Sequence, residues 1–413
     1  MLSKGFVRIF FFLLFAVVAA RASAATPPPY VNPRDFAIMP WDGSPSDPAQ
    51  LQLMKEAGLN ISGFCAPKDL PQVLAAGLAC FVSDPRVNGY DWVKMPPDSE
   101  LRKNVAAAVH EVENNPAALG FFLRDEPGAD MMPGLGRVAS LLVEALPEKW
   151  PYVNLFPTYA TTTQLAAPDY GTYLRRFVES VHPPFISWDN YSVIEGEMRD
   201  RFYTNLELVR RQSLESKIPF WNIILANTLF NWMEPSDATF SLQVYSTLAY
   251  GGRGIEYFTY FTPQADNFRL GAIDQFGNRT ATWDMLRRIN NQIHALAPTM
   301  IRLHSTGVYH SPDVPPQGHP LSESRLVQDV RVSTSDLQHP TPCRFLLGEF
   351  EDAQGRPYLM LVNKDLQQSF HFRFHLKQEG KKLIWISPFT GEESGDSQAG
   401  WLAPGGGILL RVE

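Results

Sequence analysis

The feature that most constrains this chain is a rhythm. A short apolar run rich in β-branched or aromatic residues is followed by a polar or Pro/Gly loop, then by an amphipathic helical stretch, and the unit repeats. Eight such runs occur: Phe36 to Trp41, Asn60 to Phe64, Ala79 to Val82, Leu119 to Arg124, Tyr152 to Phe156, Phe185 to Trp188, Phe220 to Ala226 and Gly254 to Tyr260. Alternation of this kind argues for a parallel sheet with crossover helices. Helices are expected over Pro48 to Ala57 with Asp47 as N-cap, Asp98 to Asn114, Asp200 to Leu214, Ser236 to Tyr250 and Thr282 to Leu296. In the last, Trp283, Leu286, Ile289, Ile293 and Leu296 share one stripe. Eight units over the span 30–305 match a (β/α)8 TIM barrel. The alternative is an open doubly wound sheet, which the lack of a glycine-rich phosphate fingerprint after the first strand disfavours.

The period changes after the barrel. Residues 306–325, with the Pro/Gly-rich stretch from His310 to Glu323, read as a linker. In 326–413, Phe370, Phe372, Phe374 and Leu376 alternate with Ser369, His371, Arg373 and His375, a strand with one buried face. Phe345 to Phe350 and Tyr358 to Val362 flank the turn residues Asp352, Ala353, Gln354 and Gly355, a hairpin signal. With Leu383 to Ile386 and Ile408 to Val412 they make a small all-β, sandwich-like domain.

Residues 1–24 read as a secretory signal peptide. Lys4 and Arg8 form the charged region, Ile9 to Ala20 the apolar stretch, and Ala22, Ser23 and Ala24 the cleavage site. A retained N-terminal anchor is the alternative. Cleavage removes Lys4, Arg8 and Arg21 from a chain of 413 residues and net charge −7. The expectation is a secreted or periplasmic protein with no membrane association after cleavage. The acidic balance gives no basic field for nucleic acid. Cys65, Cys80 and Cys343 are too few for a disulfide framework and are expected as small buried thiols. No zinc spacing, serine-hydrolase elbow or phosphate loop is present, so neither metal nor cofactor is expected.

In a barrel the chemistry lies at the carboxyl ends of the strands. Those ends carry Trp41-Asp42, Ser83-Asp84, Asp125-Glu126, Trp188-Asp189-Asn190-Tyr191 and Tyr260-Phe261-Thr262. The sharpest motif is Gly120-Phe121-Phe122-Leu123-Arg124-Asp125-Glu126-Pro127-Gly128, an apolar strand running into two acids. Pro127 is expected to hold Glu126 extended. Strand alternation is expected to turn Asp125 and Glu126 to opposite sides, so that only one faces a substrate. Trp41, Trp188, Tyr191, Trp221, Trp232 and Tyr260 are candidate platforms for sugar rings.

These residues resemble glycoside hydrolases of the clan A type, in particular β-galactosidase-like barrels with an Asp-Glu-Pro motif. In that clan an Asn-Glu pair ends strand four and the Glu is the general acid/base. The resemblance therefore implies that role for Glu126, with Asp125 standing where the clan has Asn. The segment Ala249 to Tyr260 looks like the last strand of such barrels. The clan's nucleophilic Glu ends strand seven, whereas strand seven here, Phe220 to Asn227, holds no acid. Asp189 is the first substitute, Glu256 and Glu234 the others. The expectation is a glycoside hydrolase that cleaves O-glycosidic bonds of a carbohydrate with Glu126 and Asp189 as its two carboxylates, Asp125, Trp41, Tyr191, Trp221 and Tyr260 binding substrate. The alternatives are a catalytically silent carbohydrate-binding protein on the same scaffold and an assembly scaffold.

Overall fold

The computed structural model describes residues 29–334 and 343–413. The signal-peptide expectation lies outside the described residues. Among those described, no helix is long and apolar enough to cross a membrane.

Eight strands form one parallel sheet: β1 (Ala37–Pro40), β2 (Ile61–Cys65), β3 (Ala79–Ser83), β4 (Ala118–Asp125), β5 (Trp150–Leu155), β6 (Ile186–Asp189), β7 (Phe220–Leu225) and β8 (Gly254–Phe258). From β2 to β8 each pairs with the next in sequence, and β1 pairs with β8. The ring closes between β1 and β2 through Asn60 N to Ile38 O (3.0 Å) and Phe64 N to Asp42 O (3.0 Å). Closure needs a glycine: Gly63 has φ +102°, and a Cβ there would lie 2.2 Å from Asp42 O. A helix follows every strand, from Pro48–Glu56 after β1 to Ala281–Met300 after β8. Asp47 caps the first helix by accepting from Ala49 N at 3.0 Å. The architecture is thus a (β/α)8 barrel.

The barrel interior is aromatic. Met39, Phe81, Tyr152, Phe185 and Trp221 fill it, with Trp41, Phe64, Phe122 and Trp150 at its ends. Phe121 and Leu123, on the other face of β4, pack outward against the helices. Cys65 and Cys80, on adjacent strands β2 and β3, form a disulfide, which corrects the expectation of free thiols; Cys343 is unpaired. Their separation of 15 residues carries no disulfide signature by itself; the pairing of the two strands creates it.

The C-terminal domain is a two-sheet β-structure. The larger sheet runs in the order His319–Pro320, β9 (His304–Ser311), β11 (Phe345–Glu351), β12 (Pro357–Asn363), β17 (Gly407–Val412), β14 (Leu383–Ile386) and β15 (Glu393–Asp396). The smaller one holds β10 (Val327–Thr334), β13 (Phe370–Leu376) and β16 (Ala399–Leu402). Phe345, Leu347, Leu359 and Leu361 pack between the sheets with Phe370, Phe372 and Phe374. Leu346, Phe350, Met360 and Val362 point the other way and join the barrel core. There β11 and β12 lie on helix Asp237–Ala249. A Cβ at Gly348 would lie 2.3 Å from Ala249 O, so only glycine permits this approach.

The linker expectation is corrected here. Residues from His304 onward already belong to the β-domain, because β9 pairs antiparallel with β11. His310 is buried and its ring nitrogen meets the Tyr250 hydroxyl at 2.8 Å. Pro and Gly between residues 312 and 318 mark a turn inside the domain, not a connection between domains.

Candidate active site

The site grows from the end of β4. The ladder with β5 stops at the pair Asp125 and Asn154. The next residue, Glu126, adopts φ +44°, a left-handed value that few non-glycine residues take. Its amide still donates to Asn154 O at 2.9 Å, and Tyr173 OH donates to Pro127 O at 2.8 Å. Glu126 is therefore not the extended residue expected before Pro127. The change of hand breaks the strand alternation. Asp125 and Glu126 join one network instead of facing apart.

Asn154 organises that network. Its Nδ2 donates to Asp125 Oδ1 and to Asp189 Oδ1, each at 3.0 Å. Asp189, at the end of β6, is 5% exposed and shares a hydrogen bond with the Glu126 carboxyl. Burial pushes both carboxyls upward; the charge of Asp125 adds to this in Glu126, where the hydrogen bond to Asp189 works against it, and the charges of Glu126 and Asp125 add to it in Asp189. Two touching carboxyls of this kind hold one proton between them. Asp125 is the exposed member. Desolvation raises it too, against the Asn154 amide and the nearby Arg124 charge.

The network continues inward. Ser187 Oγ lies 3.0 Å from both Asn154 Oδ1 and Glu256 Oε1, with one proton to give to either, and Tyr152 OH donates to Glu256 Oε2. Glu256 is fully buried, and desolvation raises it to about 7. It braces the barrel interior below the pair. Glu234 lies on the surface and pairs with Arg269 at 3.2 Å. Asp42, at the end of β1, accepts from Tyr260 N at 2.7 Å and Phe261 N at 3.2 Å, so it ties β1 to the segment after β8; burial raises it to about 7.

Aromatic residues ring the mouth unevenly. Trp41 is half-buried, edge-on to Phe64 (4.8 Å) and Phe122 (5.8 Å). Tyr191 stacks on Phe258 at 4.7 Å and leans on Trp232 at 5.1 Å. Tyr159, in the loop after β5, is 43% exposed, and its hydroxyl senses the charges of Asp189 and Glu126. Three expected platforms lie elsewhere. Trp221 is the second residue of β7, at the amino end of the barrel, 2% exposed and stacked on Phe185 at 3.7 Å. Tyr260 is fully buried, its hydroxyl accepting from Trp283 Nε1 at 3.1 Å. Trp188 is likewise fully buried.

Asn154 and Tyr159 are the members that sequence reasoning missed. Asn154 carried a signal: it is a lone polar residue near the carboxyl end of an apolar strand. Tyr159 carried none, being one aromatic residue in a loop. Among the described residues, no group of three or more His, Cys, Asp or Glu is placed to hold a metal ion.

No family model matches this chain, and no curated protein matches it. Solved structures do. A family 5 glycoside hydrolase from Bacteroides vulgatus aligns with TM-score 0.55 at 12% identity, over 91% of this chain and 88% of that one. A family 42 β-galactosidase from G. stearothermophilus aligns with TM-score 0.54 at 10% identity, over 91% and 98%. The β-galactosidase from the psychrophilic Marinomonas ef1 aligns with TM-score 0.50 at 10% identity, over 66% of this chain, which spans 62% of that protein's length. At these identities the shared property is the fold, a (β/α)8 barrel followed by a β-domain.

Proposed function

We propose that the chain is a secreted glycoside hydrolase in which Glu126 is the general acid. The observation that carries this reading is the proton-sharing contact of Glu126 with Asp189 at the carboxyl end of the barrel. A carboxyl kept protonated by burial and neighbouring charge is what leaving-group protonation requires near neutral pH. The aromatic rings of Trp41, Tyr191 and Trp232 give the mouth apolar faces suited to sugar rings. The fold's occurrence among glycoside hydrolases agrees with the reading. The Cys65–Cys80 bond agrees with export to an oxidising compartment.

In this proposal Glu126 gives its proton to the glycosidic oxygen as the bond to the anomeric carbon breaks. That transfer uses the pair's single proton; Asn154 Nδ2, 3.0 Å from Asp189 Oδ1, then supports the charge left on the two carboxylates until solvent returns a proton to them. Glycosidase carboxyls that flank a sugar ring stand roughly 5–9.5 Å apart. Asp189 touches Glu126, so it acts through Glu126 and does not attack the sugar. Asp125, exposed on the same rim, is the carboxylate free to accept the proton of an attacking water or to hold a sugar hydroxyl. The test is Glu126→Gln against a panel of chromogenic glycosides and oligosaccharides. Turnover should fall by the ~10²–10⁴-fold of acid–base catalysis. Undiminished turnover removes Glu126 from the reaction.

A second reading has its own observation. β7 offers no acid to the mouth, and the two acids that meet there are in contact. A carbohydrate-binding protein without hydrolysis would keep both features. Saturable oligosaccharide binding with no product from any member of the panel would favour it.

A further inference from the structure

Beside the acid pair lies an arginine that the proposed acid chemistry does not use. Arg201 is the second residue of helix Asp200–Ser216, just after the loop that follows β6. Its guanidinium lies over the Tyr159 ring at 4.6 Å, and its Nε donates to Ser192 Oγ at 3.0 Å. Ser192 in turn bonds Asn190 Oδ1, and Asn190 Nδ2 donates to Asn205 Oδ1 at 3.1 Å. Ser192, Asn190 and Asn205 are all fully buried. A rigid polar core thus fixes one edge of the guanidinium and an aromatic face supports its plane.

Among the described residues the other edge has no protein partner. Among the described residues no carboxylate stands within ion-pair distance of Arg201, whereas its neighbour Arg199 pairs with Glu195 at 2.8 Å. The two terminal nitrogens therefore keep their donors. Tyr159 connects this free edge to the chemistry. Its hydroxyl senses Asp189, Arg201 and Glu126 together. The guanidinium is thus one tyrosine away from the carboxyl pair.

We infer that Arg201 forms a subsite for an anionic substituent, so that the substrate is a glycan bearing uronate carboxylates or sulfate esters. The inference rests on the proposed hydrolase reading for its location and deepens it. The fork of donors on a guanidinium matches the two oxygens of such a group, and pre-organisation lowers the entropy lost on binding. The single shared proton on Glu126 and Asp189 reduces the negative charge that an anionic sugar meets there.

The experiment uses the full chain and matched aryl glycosides: glucuronide against glucoside, galacturonide against galactoside, and 6-sulfated galactoside against galactoside. The anionic member of at least one pair should show the higher kcat/KM. Arg201→Gln should lower that anionic-to-neutral ratio about 10- to 100-fold, mainly through KM. Arg201→Lys, which keeps the charge and loses the fork, should retain part of it. The pair that responds separates a uronate from a sulfate. A ratio that is unchanged in Arg201→Gln, or that favours the neutral member throughout, overturns the inference. If no glycoside is turned over, the hydrolase reading fails. Ligand-observed NMR with glucuronate and glucose then decides the subsite alone. Glucuronate binding that Arg201→Gln abolishes upholds it, and equal or absent binding of the two sugars rejects it.

Discussion

One backbone dihedral decides how the candidate acid meets its partner. At φ +44° Glu126 sits where glycine is at ease and other residues are strained. Glu126→Gly should remove that strain along with a desolvated carboxyl. It is expected to raise unfolding free energy by about 1 kcal/mol while abolishing activity, read from urea midpoints and turnover. The neighbouring charge has an equally direct consequence. Asp125 raises the proton affinity of Glu126, so Asp125→Asn lets Glu126 ionise at lower pH. The protonated form is the active one. The basic limb of the pH–rate profile should therefore move to lower pH in the variant, measured on residual activity. Acids at strand ends were legible in the sequence because a strand end is a local feature. The Glu126–Asp189 contact was not, since it depends on a left-handed turn after β4 meeting a side chain from β6. Trp221 had a readable warning: it comes second in its strand, at the end away from the chemistry.

Among the elements, the joint between β1 and β2 is the most exacting. It relies on a few hydrogen bonds and on a glycine whose missing Cβ admits Asp42 O. Gly63→Ala should destabilise by at least ~1–3 kcal/mol, because it adds both a clash and a left-handed penalty; thermal or urea denaturation checks this. All eight barrel strands were readable, since each is a compact apolar run between turn residues. β11 and β12 were readable for the opposite reason from β13. They are apolar on both faces because one face meets β13 and the other meets a helix. β13 alternates because only one of its faces is covered. β9 was hidden, since its run His304–Ser311 is mostly polar or small and becomes a strand only by pairing with β11.

For the molecule as a whole, several carboxyls are buried with raised proton affinity. Asp42 moves from 3.8 to about 7 and Glu256 from 4.5 to about 7, both chiefly by desolvation. Their contribution to stability is complete below their ordinary values and is lost as pH rises through about 7. Carboxyls held low by arginines, such as Asp84 and Asp352, act in the other direction only at more acid pH. Resistance to urea should thus decline between about pH 4.5 and 7, and Glu256→Gln should flatten that slope. Burial of the β-domain against helix Asp237–Ala249 binds the two halves into one cooperative unit. That helix is buried along nearly its whole length, on one side by the barrel and on the other by β11, β12 and β17. The order of synthesis gives this a temporal meaning. Every barrel strand has been synthesised once Phe258 is added, yet the outer strip of that helix stays bare until roughly a hundred more residues follow. A nascent chain stalled in that interval would carry a finished cylinder with an uncovered greasy seam, and would be a ready client for chaperones.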